Sequence, residues 1–169
     1  TREDNITTGQ IYKDIIEKQT GTGLDDLSDS LFYKPLGAST LTYRPLEKFS
    51  KDKIAPTEND MFFRKKLVHG TVHDPGAAML GGVAGHAGLF SNANDLAKMF
   101  AMYMNNGEYG GERYIDSAVV SEFTKVQFPD EENRRGAGFD KPSGDENGPT
   151  CECVSEKSFG HTGFTGTLA

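Results

Sequence analysis

A glycine-dense run from Gly81 to Ser91 constrains this chain more than any other segment. Four of its eleven residues are glycine, and it leads directly into a helix that Ser91 is predicted to cap. The run has neither the G-x-G-x-x-G spacing of a dinucleotide site nor the Lys-Ser/Thr ending of a P-loop. We therefore predict that its backbone packs tightly against a sheet and holds no nucleotide.

Apolar residues at helical spacing predict two helices before this run. The first is a short amphipathic helix that carries Ile11, Tyr12, Ile15 and Ile16. It ends at Thr20-Gly21, where glycine can adopt the left-handed cap conformation. The second begins after Thr22 and ends at Pro35-Leu36-Gly37.

Two further helices are predicted after the run. One extends from Ser91 to Asn105-Asn106-Gly107, with the acidic Asp95 in its first turn, where the helix dipole favours negative charge. Its predicted buried stripe comprises Leu96, Met99, Phe100, Tyr103 and Met104. The other begins at Asp116 and presents Val119, Val120 and Phe123.

Strand-like runs are few, at residues 40–43, 137–139 and 159–164. Helices followed by late strands, with strong turn punctuation between them, indicate an α+β fold rather than alternating βαβ units. The strands are too few for a complete sheet. We therefore treat residues 1–169 as one partial domain and expect it to be incomplete at both ends.

Composition excludes several classes of protein. The chain has 25 acidic and 18 basic residues, a formal net charge of −7 and no basic stripe, which disfavours nucleic-acid binding. No stretch approaches the roughly 20 apolar residues that a membrane span requires. Cys151 and Cys153 are interpreted as two ordinary thiols, although a local disulfide or a weak metal contact stays open because both would share one face of an extended segment.

Chemistry is suggested most strongly by the segment from Gly160 to Gly166. It alternates small residues with His161 and two threonine hydroxyls on a predicted strand. Glycine would let a substrate backbone approach closely, Thr162 would donate a hydroxyl, and edge N–H groups could polarise a carbonyl oxygen. The alternative is a plain glycine-rich hairpin without a role in catalysis.

Several motifs, taken in order along the chain, resemble the serine β-lactamase-like family. They are Val72-His73-Asp74, Gly82–Ser91, Asp95-Leu96 and His161-Thr162-Gly163, supported by Pro35-Leu36-Gly37, Asn106-Gly107, Gly110-Gly111 and Gly136–Asp140. The family includes class C β-lactamases, penicillin-binding D-alanyl-D-alanine peptidases and related esterases. The chain is most similar to the subgroup found as a C-terminal domain behind family-3 glycoside hydrolases in cell-envelope proteins.

The resemblance implies a helical subdomain plus some strands of an antiparallel sheet. It also implies a serine nucleophile assisted by a lysine one turn later, and a Tyr-x-Asn element that helps proton transfer. In the family both precede the part that this chain matches. Here His161, Thr162 and Gly163 would be the catalytic wall motif, and Phe164 would bind substrate through its backbone N–H as an oxyanion-hole donor.

Formal matches to the missing motifs are rejected on physical grounds. Ser50-Lys51-Asp52-Lys53 fits S-x-x-K, but its lysine-rich polar setting would not desolvate Lys53 enough to make it a base. Tyr103-Met104-Asn105 fits Tyr-x-Asn, but Tyr103 belongs to the apolar stripe of its helix.

Other charged and metal-ligating groups are given structural roles. His69 and His73, if extended, would lie roughly 13 Å apart, too far to share one metal ion. The resemblance suggests instead that His73, Asp74 and His86 organise loops beneath the pocket. The acidic pairs at Glu58, Asp25-Asp26 and Glu131-Glu132 are interpreted as surface, with Arg134 and Arg135 exchanging charge with the last pair.

The leading hypothesis is therefore part of a serine hydrolase that cleaves amide or ester bonds through an acyl-serine intermediate. Its substrate would be a peptidoglycan peptide, a β-lactam or an ester, with no cofactor, metal or nucleic-acid partner. Family analogy indicates an extracytoplasmic location and a possible link to a glycoside hydrolase domain. The alternatives are a non-catalytic module that binds cell-wall peptides or β-lactams and, less favoured, a zinc-dependent hydrolase.

Overall fold

Helices and two small antiparallel sheets make up the α+β fold, as the sequence predicts. The computed structural model describes residues 2–129, 133–143, 150–151 and 153–169, with side chains described from Thr8 onward. The helices are α1 (Arg2–Thr20), α2 (Leu24–Ser28), α3 (Pro75–Met79), α4 (Ala93–Met104) and α5 (Ser117–Thr124). The strands are β1 (Pro56–Asp60), β2 (Lys66–His69), β3 (Glu108–Tyr109) and β4 (Glu112–Arg113). Within the described residues, no helix is both long and apolar enough to cross a membrane.

The chain forms two compact units, residues 1–97 and 98–169. In the first unit, α1 ends as predicted, with Gly21 at φ 68° and its N–H donating to the carbonyl of Glu17 at 2.9 Å. The predicted second helix is present but changes character, because α2 continues as a π-helical segment, Asp29–Tyr33. The apolar face predicted for α1 is not buried: Ile11, Tyr12 and Ile15 are 45 to 62% exposed.

An antiparallel hairpin of β1 and β2 follows, and it was not predicted. Glu58 pairs with Val68 and Asp60 with Lys66, and the register shifts between Pro56 and Glu58. The first strand is a polar stretch without hydrophobic alternation, so nothing in its pattern indicates a strand.

The glycine-dense run is tightly packed, and at Gly85 its neighbour is the backbone of helix α1 rather than the predicted sheet. A Cβ atom added to Gly85 would lie 2.1 Å from the carbonyl oxygen of Gly9 in α1. Nearby, Val72, Ala77 and Ala84 form a small buried core. Small side chains and glycine thus allow helix, loop and core to approach within backbone contact.

Helix α4 begins one residue later than predicted and has a different cap. The side chain of Asn92, not Ser91, accepts the N–H of Asp95 at 2.8 Å. Asp95 itself is buried and accepts the backbone N–H and the hydroxyl of Thr40 at 2.8 and 2.7 Å. Thr40 belongs to the predicted strand 40–43, of which only an isolated bridge between Thr42 and Phe90 forms.

In the second unit, the predicted stripe of α4 is only partly correct. Met104 is 75% exposed, whereas Met102 is fully buried. The helix ends as predicted, with Asn106 at φ 53° followed by Gly107. A chain of edge-on aromatic contacts then joins Tyr103 to Phe139 at 5.6 Å and Phe139 to Phe159 at 5.1 Å between ring centroids.

Helix α5 is confirmed, and its N-cap is Asp116, whose carboxylate accepts the N–H of Ala118 at 2.8 Å. Val120 is buried, while Val119 and Phe123 are about half exposed. The predicted strands 137–139 and 159–164 are not formed as strands. In their place the structure has two isolated bridges, Asp140 with Gly160 and Thr162 with Leu168.

The two cysteines correct another interpretation. Cys151 and Cys153 are joined by a disulfide, so neither is the free thiol that the sequence analysis favoured. The alternative of a local disulfide, left open by their spacing, is the one that the structure contains.

Candidate functional site

The predicted wall motif forms one arm of a terminal hairpin. His161 and Ala169 exchange backbone hydrogen bonds of 2.8 and 3.2 Å, and the N–H of Gly163 donates to the carbonyl of Thr167 at 2.7 Å. The chain reverses through Phe164-Thr165-Gly166, where Gly166 has φ 87°. His161, Thr162 and Gly163 therefore lie together on one arm of a short hairpin, the arrangement given as the alternative, rather than on the predicted strand.

Two glycines in this hairpin are required by the hairpin itself. A Cβ atom on Gly160 would lie 2.2 Å from the carbonyl oxygen of Ala169. A Cβ atom on Gly163 would lie 2.1 Å from the hydroxyl oxygen of Thr167. Close approach of the second arm thus explains these glycines, with no need for substrate clearance.

The side chains of the motif are open to solvent, since residues 161–169 are all exposed. The Nδ1 atom of His161 lies 2.7 Å from the carbonyl oxygen of Thr162, which holds the imidazole close to the hairpin backbone. Phe164 is 64% exposed at the turn. This arrangement leaves the imidazole and the Thr162 side chain accessible to a ligand.

A cavity of about 170 Å³ lies against the base of the hairpin. It is lined by Asp140, Lys141, Pro142, Thr150, Ser158, Phe159, Gly160, His161, Thr162, Leu168 and Ala169. The backbone of Asp140 pairs with that of Gly160 at 2.7 and 3.1 Å, and this pairing fixes the hairpin to the cavity floor. Burial lowers the pKa of the Lys141 ammonium, whose Nζ donates to the carbonyl of Lys157 at 3.3 Å.

Asp140 also forms ion pairs with two arginines for which other partners are predicted. Arg134 approaches its carboxylate at 3.1 Å and Arg135 at 4.0 Å. The partners predicted for both arginines, Glu131-Glu132, lie outside the described residues. The arginines are thus directed toward a residue of the cavity lining.

In the first unit, the Asp74 carboxylate and the His86 imidazole are in contact. The Nε2 atom of His86 lies 3.2 Å from the Asp74 carboxylate, which also caps α3 by accepting the N–H of Ala77 at 2.7 Å. Burial opposes ionisation of Asp74, but the hydrogen bonds from Ala77 and His86 outweigh it and lower the pKa of the carboxyl. These contacts join the glycine-dense run to the start of α3.

Two of the histidines considered as metal ligands, His69 and His73, take part in hydrogen bonds within the fold, His69 through its ring and His73 through its backbone carbonyl. The Nε2 atom of His69 lies 2.5 Å from the carbonyl oxygen of Ile54, and the carbonyl of His73 accepts a hydrogen bond from Arg64. Among the described residues, no group of three or more His, Cys, Asp or Glu side chains is placed to hold a metal ion.

The rejected serine and tyrosine motifs lie where the sequence analysis placed them. Ser50 precedes a single 3-10 turn, Lys51–Lys53, and both Ser50 and Lys53 are exposed. Tyr103 packs edge-on against Phe100 at 6.0 Å between ring centroids, and burial raises the pKa of its phenol. Neither has the surroundings of a nucleophile or a base.

The hydrogen-bond network of the Arg64 side chain is not predicted from the sequence. It donates to the carboxylates of Asp60 at 2.8 Å and Glu58 at 3.0 Å, to the carbonyl of Val72 at 2.8 Å, and to the carbonyl of His73. The spacing of Asp60 and Arg64 was the only available signal, and it gave no hint of the two carbonyls.

Comparison with known proteins supports the resemblance. A family model described as Beta-lactamase matches residues 4–169. Proteins named "Putative D-alanyl-D-alanine carboxypeptidase" from Salmonella gallinarum (strain 287/91 / NCTC 13346), Salmonella typhi and Salmonella paratyphi B are each 36% identical over 167 residues. Each alignment covers 91% of this chain but only 38% of the relative. The chain therefore matches well under half the length of these relatives.

Proposed function

This chain belongs to the beta-lactamase family, and we propose that it forms the pocket wall of a serine hydrolase that cleaves amide or ester bonds. The observation that carries the proposal is the exposed hairpin with His161, Thr162 and Gly163 side by side next to a cavity. A motif of this kind can serve a substrate only if its side chains are accessible, and these are.

Each residue of the hairpin has a proposed role. The Thr162 hydroxyl donates a hydrogen bond to the substrate, and the adjacent His161 imidazole, held beside the Thr162 carbonyl, adds a second polar contact. The backbone N–H of Phe164 stabilises the oxyanion that develops on the substrate carbonyl. Gly163 lies between Thr162 and Phe164, and its lack of a side chain is required by the approach of Thr167 on the other arm.

The nucleophile is proposed to be supplied by the complete gene product. Its serine Oγ bonds to the carbonyl carbon, the bond to the leaving amine or alcohol breaks, and the serine proton passes through a basic side chain to the leaving group. Water then hydrolyses the acyl-serine ester and releases the acid. Ser50 is not proposed for this role, because it is exposed on a polar turn.

A peptidoglycan peptide that ends in D-alanyl-D-alanine is the favoured substrate. The support is the name carried by the relatives, which are 36% identical to this chain. β-Lactams and simple esters are the other substrates that the same chemistry would accept. An extracytoplasmic location and linkage to a glycoside hydrolase domain belong to the same proposal and rest on family analogy alone.

Intact-mass analysis tests the proposal. The chain and the complete gene product would each be incubated with a β-lactam and, separately, with a fluorophosphonate, alongside Ser50→Ala forms of both. We expect a covalent adduct on the complete product, with or without Ser50→Ala, and none on the 169-residue chain.

Three results would overturn the proposal. An adduct on the chain that Ser50→Ala abolishes would make Ser50 the nucleophile. Reversible binding of a β-lactam without any adduct on the complete product would favour a binding module. One equivalent of co-purified zinc, with activity lost to chelators, would favour a metal-dependent hydrolase.

A further inference from the structure

The tip of the β1–β2 hairpin has a closely hydrogen-bonded backbone. The carboxylate of Asp60 accepts the N–H groups of Phe62, Phe63 and Arg64 at 2.9 to 3.0 Å. Lys65 completes the reversal with φ 49°, a left-handed conformation that non-glycine residues adopt rarely. The Arg64 side chain is tied inward to the carbonyls of Val72 and His73. Backbone hydrogen bonds and the Arg64 side chain therefore define the shape of the tip.

This tip presents large apolar side chains to solvent. Phe62 is 94% exposed, Met61 64%, Phe63 59% and Leu67 55%. Single exposed apolar residues are ordinary, but a run of them on one turn marks an interaction surface. The network around Asp60 and Arg64 holds these side chains outward in spite of the cost of exposing them to water.

The charges at the tip are positive. Glu58 and Asp60 both pair with Arg64, at 3.0 and 2.8 Å, so that arginine offsets part of their negative charge. Lys65 and Lys66 are exposed, and the structure shows no ion pair between either lysine and a described carboxylate. Two cationic side chains thus flank the apolar ones.

We propose that the tip, Met61–Leu67, docks onto an anionic lipid surface. Met61, Phe62 and Phe63 would enter the interfacial layer, while Lys65 and Lys66 would contact anionic headgroups. An acidic protein surface would satisfy the lysines but leave the apolar side chains without a matching environment. A second copy packed symmetrically would bring the same lysines together, which electrostatic repulsion disfavours.

The overall negative charge of the chain opposes binding to an anionic bilayer, so binding would have to come from the tip. At a net charge of −7, an anionic bilayer repels the chain as a whole, so binding requires a local cationic and apolar site. The inference is independent of the proposed hydrolase activity, because no residue of the tip belongs to the candidate site.

A tryptophan reporter tests docking directly, since the chain contains no tryptophan. The Phe62→Trp form would be mixed with vesicles of phosphatidylglycerol and phosphatidylcholine, and with vesicles of phosphatidylcholine alone. We expect a blue-shifted emission only with the anionic vesicles, weakened by salt. Met104→Trp, at a site that is 75% exposed on α4, is the matched control and is expected to show no shift.

Variants then separate the two contributions by co-sedimentation with the anionic vesicles. Replacing Lys65 and Lys66 by Gln should weaken partitioning roughly fivefold for each lysine. Phe62→Ser with Phe63→Ser should weaken it by about tenfold or more. Circular dichroism should show that both forms unfold at the temperature of the unchanged chain, because the altered side chains are exposed.

The proposal fails if the unchanged chain does not sediment with anionic vesicles, or if the tip variants bind as well as it does. It also fails if binding is the same on neutral vesicles. A dimer in sedimentation velocity that Phe62→Ser dissolves would instead make the tip a contact between copies.

Discussion

The two units of this chain differ in the surroundings of their polar side chains. In residues 1–97, buried polar groups are committed to one another: Asp60 to Arg64, Asp74 to His86, and Asp95 to Thr40. In residues 98–169, the wall motif lies on an exposed hairpin held mainly by backbone hydrogen bonds. The difference separates side chains that are committed to packing from side chains that are exposed, as the proposed contact of the wall motif with a substrate requires.

The glycine-dense run is an example of residues that are committed to packing. Gly85 is explained by its contact with α1, the other glycines of the run by their positive φ angles, and Ala84 by the small core around Ala77. Its histidine, His86, is part of the capping arrangement of α3. The hairpin is the opposite case, because the side chains of residues 161–169 are exposed. If this comparison is right, substitutions in the first unit should mainly change stability, and those in the hairpin should mainly change reactivity.

The largest expected loss of stability comes from Gly85→Ala. The added methyl group would meet the Gly9 carbonyl, and because both partners are backbone, neither can swing away. We expect a cost of about 3 kcal/mol in the free energy of unfolding, measured by urea denaturation. Gly110→Ala is the control, because its site has open space and only the strain of φ 63°, worth about 1 kcal/mol. Equal costs at the two sites would contradict the account of the run.

Arg64→Gln should have the next largest effect. It removes the guanidinium that joins two carboxylates to the carbonyls of Val72 and His73, leaving those groups without their partner. We expect a loss of about 2 kcal/mol. Lys125→Gln, which breaks an exposed pair with Glu122 in the second unit, should change the free energy of unfolding by about 0.5 kcal/mol or less. A similar loss in both variants would remove the distinction between the units.

The sequence predicts helices better than it predicts strands or polar networks. Apolar spacing and glycine are local signals, and α4 and α5 are where they indicate, whereas α1 ends where predicted but is a helix of 19 residues rather than a short one. The strand β1 carries no alternation, so its pairing with β2 depends on contacts that a local pattern does not encode. Ser91 and Asn92 are both good caps, and only the backbone geometry decides in favour of Asn92.

In the candidate site, too, the sequence predicts local features but not tertiary contacts. The motif at His161-Thr162-Gly163 located the exposed arm, because small residues and polar side chains are a local signal. Its pairing with Thr167–Ala169 and the approach of Asp140 to Gly160 are tertiary contacts that the motif does not reveal. Arg64 was missed for a related reason: half of its hydrogen bonds go to backbone carbonyls, which every residue type offers.

Stability in acid should also distinguish the first unit. The Arg64 guanidinium, followed by the N–H groups of Phe63 and Arg64, holds the pKa of Asp60 well below its usual range. A carboxyl with a lowered folded pKa stabilises the fold above its unfolded pKa, about 3.9, and loses that contribution as pH falls toward the folded value. Unfolding temperatures should therefore fall below about pH 4, and Asp60→Asn should flatten that decline. An unchanged acid profile in Asp60→Asn would show that another carboxyl governs it.

The substitution expected to change stability least is the one whose effect on reactivity is most informative. Thr162→Val removes only an exposed hydroxyl, so the free energy of unfolding should change by about 0.5 kcal/mol or less. Thr165→Val, at the turn of the same hairpin, is the matched control for exposure and residue type.

The direct test of the central claim is therefore the rate at which a β-lactam acylates the complete gene product carrying Thr162→Val, compared with the same product carrying Thr165→Val. The account predicts that acylation slows by about tenfold or more in Thr162→Val and is unchanged in Thr165→Val, while both unfold as the unaltered protein does. Equal acylation rates in the two variants would contradict the assignment of this hairpin as the wall of the active site.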